Sequence, residues 1–310
     1  MKTTPIVFSF DKRMEMPAGV CIFSLLANAD KDTFYDIFVL HDAEDDFTDS
    51  CILRLCGQFP NCRISFRAVS DVFRDAFEIR GITRATYYKL LIPEVIPEYD
   101  KVLYSDVDVI FREDQSHYLD IDMDGCFFAS VNSVPVMNKD YLSYIQSIGL
   151  SPSEGYFYAG NLVVNAKLLR ERNMVPVFLK HLDKHYRFQD MDIINLSCSG
   201  RIKSLPPAFC LSGTYYEAIV SKREKLLSEY TGEELDYAVK KGIVHYNGPK
   251  PWKESCLNMD IWWEYYRNSV FFDEKFAFDF WFGQTFLLER MTLMKRIKLV
   301  GRYFREGGRK

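Results

Sequence analysis

Two carboxylates set two positions apart, Asp106 and Asp108, close the short apolar run that opens KVLYSDVDVIF, residues 101–111. Side chains at i and i+2 of an extended chain share a face, so the two charges repel unless a cation or a shell of hydrogen-bond donors neutralises them. A hard divalent ion with oxygen ligands gives that relief. The same Asp-x-Asp spacing recurs at 30/32, 120/122, 122/124 and 190/192, but only 106/108 follows directly on a continuous apolar strand and is continued by another apolar run, Val109–Phe111. A second stretch with chemical content is IVHYNGPKPWK, 243–253. There His245 offers an imidazole, Gly248 lets backbone amides approach an anion, and Lys250 supplies a point charge, a set suited to phosphate. The bland alternatives are a solvated acidic turn and a satisfied structural histidine.

The elements that must carry these residues are read from apolar patterning. Strands are expected at 4–10, 35–42, 62–69 and 101–104, and helices at 17–29, with Pro17 at its start, at 43–59, with acidic residues at its N-terminus, and at 85–96, stopped near Pro93. The runs 125–131 and 161–171 continue the alternation. Strands separated by helix-length segments imply crossover units and a mostly parallel sheet, an α/β fold in which ligands gather at the carboxyl ends of strands. Asp11, His41 or Asp42, and Asp106 with Asp108 all fall at such ends.

A chain of 310 residues with 48% apolar content can bury a sizeable core, which sets disorder aside. Eight cysteines without a CxxC pair fit a reduced, cytoplasmic compartment, and neither a signal peptide nor an 18-residue apolar run is found. The net charge of −4 conceals an asymmetry: residues 286–310 carry eight Lys or Arg against Glu289 and Glu306. An acidic body with a basic end argues against nucleic acid and for a local anionic partner at the C-terminus. Within that end, Leu287, Met291, Met294, Ile297, Val300 and Phe304 recur at helical intervals with basic residues between them, as a helix lying on an anionic bilayer would require. A terminal helix packed on its own domain is the competing expectation. The aromatic run 260–282 suits either an acceptor groove or core. His117, His181 and His185 read as structural, and Cys198 and Cys210 suggest no nucleophile.

Five stretches together, IVFSFD (6–11), YDKVLYSDVDVIF (99–111), YFYAGNLVVN (156–165), FQDMDIINL (188–196) and HYNGPKPW (245–252), resemble the retaining glycosyltransferases of family 8, the group of bacterial lipopolysaccharide galactosyltransferases and glycogenin. The resemblance implies a GT-A, Rossmann-like fold: a mostly parallel central sheet flanked by helices, with a catalytic domain over 1–255 and a C-terminal helical extension over 256–310. It implies Mn²⁺, or Mg²⁺, on Asp106, Asp108 and His245, and a UDP-sugar donor. Gly248 and Lys250 would hold the diphosphate. Ser9, Phe10 and Asp11 would meet the uridine, with Lys89, Ser105 and Val107 also on the nucleotide-sugar side. Tyr158, Ala159 and Gly160 would line the sugar, and Asp190 with Met191 would stand at the reacting carbon. The acceptor implied is a glycan or lipid-linked glycan of the bacterial surface, reached from the cytoplasm or the inner face of the membrane.

Departures from the family pattern bear on the donor sugar. Tyr158 replaces Asn or Ser, Met191 stands where an amide is common, Lys89 where Arg is common, and Met14 where an aromatic is common. Met191 is neither a general base nor an oxygen nucleophile, so a protein-linked sugar intermediate would have to use Asp190 or another carboxylate; front-face transfer with retention is the expected route. Two rival readings remain: a non-catalytic UDP-sugar-binding protein of this fold, and a phosphatase of the haloacid dehalogenase type with Asp106 as nucleophile, whose later Lys and acidic pair are not met here.

Overall fold

The computed structural model describes residues 1–306 apart from Ser70 and Arg80. Ten strands are formed among them: β1 (Lys2–Ser9), β2 (Thr33–Asp42), β3 (Cys62–Val69), β4 (Val102–Ser105), β5 (Val109–Ile110), β6 (Phe128–Val131), β7 (Asn161–Val164), β8 (Ile202–Leu205), β9 (Leu211–Ser212) and β10 (Val244–His245). Seven build the main sheet in the order β3-β2-β1-β4-β7-β6-β8, and three short ones build a second, β5-β10-β9. All neighbours in the main sheet run parallel except β7, which is antiparallel to β4 and β6.

The central strands are buried on both faces, as parallel sheets covered by helices are. Alternation sends Ile6, Phe8 and Leu103 into one core and Val7, Val102 and Tyr104 into the other. The helix Glu15–Ala27 covers the first core with Ala18, Cys21, Ile22 and Leu25. A separate cluster packs Trp262, Trp263 and Tyr266 of the helix Met259–Asn268 against Val20 and Ile110. The first half of the aromatic run is therefore core. Farther on, Phe278, Trp281, Phe282 and Phe286 of the helix Glu274–Glu289 are exposed.

Two expected helices take other forms. Over 43–59 the acidic end does not open a helix: Asp42 Oδ1 accepts from Glu44 N and Asp46 Oδ1 from Thr48 N, closing local turns that compete with helical hydrogen bonds. Helical backbone starts only after Ser50, whose Oγ accepts from Ile52 N, as a 3₁₀ turn Cys51–Leu53 and the short helix Arg54–Gln58. Over 85–96 the chain forms a 3₁₀ helix, Arg84–Leu91, and then a single α turn, Ile92–Val95. Pro93 lies in the first turn of that α segment, where its missing N–H costs nothing, so it starts a helix rather than stopping one.

The last helix, Leu293–Glu306, leaves Leu293, Met294, Ile297 and Val300 exposed. The side chains of Phe304, Arg305 and Glu306, and residues Arg309 and Lys310, lie outside the described set. No helix among the described residues is long and apolar enough to cross a membrane.

Candidate active site

Asp106 and Asp108 lie in the three-residue link between β4 and β5, just beyond the strand rather than on it. Backbone bonds fix both: Asp106 N donates to Gly160 O at 2.7 Å, and Asp108 O accepts from Tyr246 N at 2.9 Å. These two bonds tie the link to the loop before β7 and to the residue after β10. His245, at the end of β10, thereby faces the carboxylates, with Nε2 3.2 Å from Asp108 Oδ1 and 3.9 Å from Asp106 Oδ2. One ligand atom from each of the three residues lies within 4.8 Å of the others.

The repulsion inferred between the carboxylates is relieved by a lysine on each. Lys250 Nζ contacts Asp108 Oδ2 and also donates to Tyr246 O at 2.6 Å. Lys89, 3% exposed, lies 3.2 Å from Asp106 Oδ1 and 2.6 Å from Asp190 Oδ2, and donates to Ala159 O at 3.0 Å. Burial alone would pull the Lys89 ammonium down, but Asp106 and Asp190 outweigh it and hold it well above the ordinary lysine value. Burial likewise pushes the Asp108 carboxyl up, and the charges of Lys250 and His245 outweigh it and hold it below the carboxylate range. For His245 burial favours the neutral ring, yet Asp108 and the neighbouring Cys210 push its pKa up to about 10.

Asp108 Oδ1 is buried and has no regular hydrogen bond, its close polar neighbour being His245 Nε2 at 3.2 Å. A buried, unpaired carboxylate oxygen costs free energy unless something charged completes its shell. Two carboxylates and an imidazole match a divalent ion of the Mn²⁺ or Mg²⁺ kind, so the residues present fit such a metal.

The remaining expected residues distribute around this centre. Ser9 Oγ and Tyr104 OH are 2.8 Å apart, and Tyr104 OH donates to Asp106 Oδ1 at 2.8 Å, linking the end of β1 to the cluster. Asp11 accepts from Arg13 and from Thr83 Oγ1, beside an open cavity of about 430 Å³ also lined by Asp42, Arg84 and Tyr88. Phe10 is buried edge-on against Phe47, and Val107 is buried. Ser105 Oγ donates to Asn161 Oδ1 at 2.7 Å. Gly160 packs directly on the imidazole: a Cβ there would sit 2.3 Å from His245 Cε1. Tyr158 OH pairs with Ser212 Oγ at 3.1 Å. Asp190 opens the helix Gln189–Ser197 and is anchored by Thr86 Oγ1 at 2.6 Å as well as by Lys89. Met191 packs among apolar side chains of two cores. Gly248 has open space around it. A second cavity, about 300 Å³ between Tyr118, Ala208, Glu233 and Tyr237, touches none of these residues.

The residues not singled out from sequence are Tyr104, Thr86 and Cys210. Tyr104 shares a face with Asp106 by the period-2 rule and was legible in principle. Thr86 and Cys210 reach the site only through tertiary pairing.

The sequence model of Glycosyl transferase family 8 matches residues 5–256. A Haemophilus influenzae protein bearing a provisional glycosyltransferase name is 27% identical over 267 residues, covering 84% of this chain and 76% of its own. The lipopolysaccharide 1,2-glucosyltransferase of Escherichia coli K12 is 22% identical over the same shares. Among solved structures, the galactosyltransferase LgtC in complex with donor and acceptor sugar analogues superposes with a TM-score of 0.71 at 24% identity, over 88% of this chain and 99% of that one, a likeness of fold. With residues 5–256 inside its pattern, the chain belongs to glycosyltransferase family 8.

Proposed function

We propose that this protein transfers a hexose from a UDP-sugar to a glycan or glycolipid acceptor of the bacterial surface, with retention of configuration, using a divalent ion held by Asp106, Asp108 and His245. The observation that carries the reading is the convergence of these three side chains, with one ligand atom of each within 4.8 Å of the others. When bound, such an ion supplies electrophilic stabilisation of the charge that develops on the leaving diphosphate.

The chain's own residues divide the rest of the work. Lys250, beside Asp108, and the open backbone at Gly248 offer positive charge and N–H groups to the phosphates. Ser9 and Asp11 line the nucleotide side. Both oxygens of Asp190 are engaged, by Lys89 and by Thr86, which suits a fixed carboxylate stabilising positive charge on the sugar ring rather than a free nucleophile. Met191 contributes no proton transfer. Front-face transfer is the route these residues favour, and a glycosyl adduct on Asp190, detected by mass spectrometry during turnover, would overturn it.

The acceptor class draws on the name of the E. coli relative. The exposed apolar face of the helix Leu293–Glu306, with Lys295, Arg296, Lys298 and Arg302 beside it, is assigned to an anionic bilayer on the cytoplasmic side. The test is hydrolysis of UDP-glucose, UDP-galactose and their N-acetyl forms with Mn²⁺. Turnover of one donor, abolished by chelation and by Asp108→Asn in a folded protein, is expected. Tight UDP binding with no turnover of any donor would favour a non-catalytic binder.

A further inference from the structure

Cys210 is fully buried, and its Sγ lies 3.3 Å from His245 Nδ1, the ring nitrogen that does not face Asp106 and Asp108. Its place is set by backbone pairing. Cys210 directly precedes β9, which runs parallel to β10 with Leu211 opposite Val244 and Ser212 opposite His245, and Leu211 N donates to Ile243 O at 2.7 Å. Cys210 N itself donates to Pro207 O at 3.1 Å. The sulfur therefore meets the ring from a rigid strand start, while Gly160 closes another side of the ring at Cε1.

With an ion on one nitrogen the imidazole keeps a single proton on the other, and the partner of that second nitrogen decides which of the two is free to ligate. We infer that Cys210 is a positioning residue: its sulfur accepts from His245 Nδ1–H and so keeps the Nε2 lone pair aimed at the space shared with Asp106 and Asp108. This rests on the metal-site reading above and extends it to the residue that orients the third ligand. Groups that hold the second nitrogen of a ligating histidine fix both tautomer and ring orientation. Sulfur is a weaker acceptor than a carboxylate oxygen and raises the basicity of the ring less, which suits an ion that exchanges with the diphosphate rather than one held permanently. The same burial denies the thiol access to reagents, so it acts by hydrogen bonding and not by covalent chemistry.

The test is calorimetric titration of Mn²⁺ into wild-type, Cys210→Ala and Cys210→Ser proteins with UDP present, together with ¹⁵N NMR of the histidine rings in the wild type loaded with diamagnetic Mg²⁺. Expected are a metal affinity about 10–100-fold weaker in Cys210→Ala, recovery to within about threefold in Cys210→Ser, and a proton on Nδ1 of His245 in the loaded wild type. Wild-type protein that binds no Mn²⁺ overturns the metal site and this role with it. Wild-type binding matched by Cys210→Ala overturns the positioning role alone. Should Cys210→Ala not fold, the wild-type spectrum decides: a proton on Nε2 of the loaded ring overturns the inference.

Discussion

Gly160→Ala perturbs the site by one methyl group whose surroundings are known. Gly160 does not occupy the left-handed region, so alanine brings no backbone strain and the effect is steric. Its Cβ would lie 2.3 Å from His245 Cε1, 2.9 Å from Asp106 Oδ2 and 3.0 Å from His245 Nδ1. Carbon–carbon contacts settle near 3.5–4.0 Å, so from 2.3 Å the ring or the β7 loop must retreat by about 1.2 Å or more. The ring is buried against Cys210, and the loop is bonded to Asp106 N through Gly160 O, so neither moves freely. Overpacking of this kind costs about 1–3 kcal/mol of stability. Misplacement of a ligand by roughly 1 Å costs on the order of 10–100-fold in metal affinity. Calorimetric titration of Mn²⁺ with UDP present, beside urea unfolding of the metal-free protein, reads both quantities. A variant that keeps wild-type stability and binds Mn²⁺ within about threefold of wild type would show that the ring is not confined as described.

Lys89→Met removes the buried cation between Asp106 and Asp190 and should cost about 3–5 kcal/mol in urea unfolding, because two carboxylates lose their partner; a loss under about 1 kcal/mol would mean that water solvates them. Asp36 is buried on β2 between Arg63 and Tyr99, and although burial raises its pKa, those partners outweigh it and hold the carboxyl below its ordinary value. A depressed folded-state pKa contributes stability above the unfolded value of about 3.9 that is lost as pH falls through the folded one, so the gap in urea midpoint between wild type and Asp36→Asn should be full at pH 6 and shrink below about pH 4; a gap independent of pH would refute the ion pair's role. Protein lacking residues 286–310 should fail to co-sediment with vesicles containing anionic lipid, whereas the whole chain should bind them and be released by salt; equal binding by both would remove the tail from the membrane assignment.

How much was readable in advance depended on where each signal resides. β1, β2 and β4 are largely apolar runs whose burial shows directly in composition, β3 alternates polar and apolar residues, and the expected bounds of all four lie within two residues of the observed ones. The reversal of β7 was not readable, since an all-buried strand such as Asn161–Val164 looks alike in either direction. The helix expected over 43–59 failed because Asp42 and Asp46 spend their side chains on local turns, a choice that apolar periodicity does not register. At the site, Asp106, Asp108 and His245 were legible as residue types suited to one ion. Their neutralisers are not: the ion pairs of Lys89 with Asp106 and Asp190 depend on a 3₁₀ segment packing under the sheet. The contact of Cys210 with His245 arises from the β9–β10 register, which sequence alone does not specify.

The two sheets meet at the link between β4 and β5, and every strand of the smaller one is only two residues long. Few backbone bonds join such short strands, and the three ligand side chains lie at the seam between the two sheets. Whatever occupies the space between them acts as a rivet through the seam, contributing about 2.7 kcal/mol at a hundred times its dissociation constant. Amide exchange along β9 and β10 should therefore slow in the loaded protein more than anywhere else, which makes the bound ion a part of the architecture that receives it.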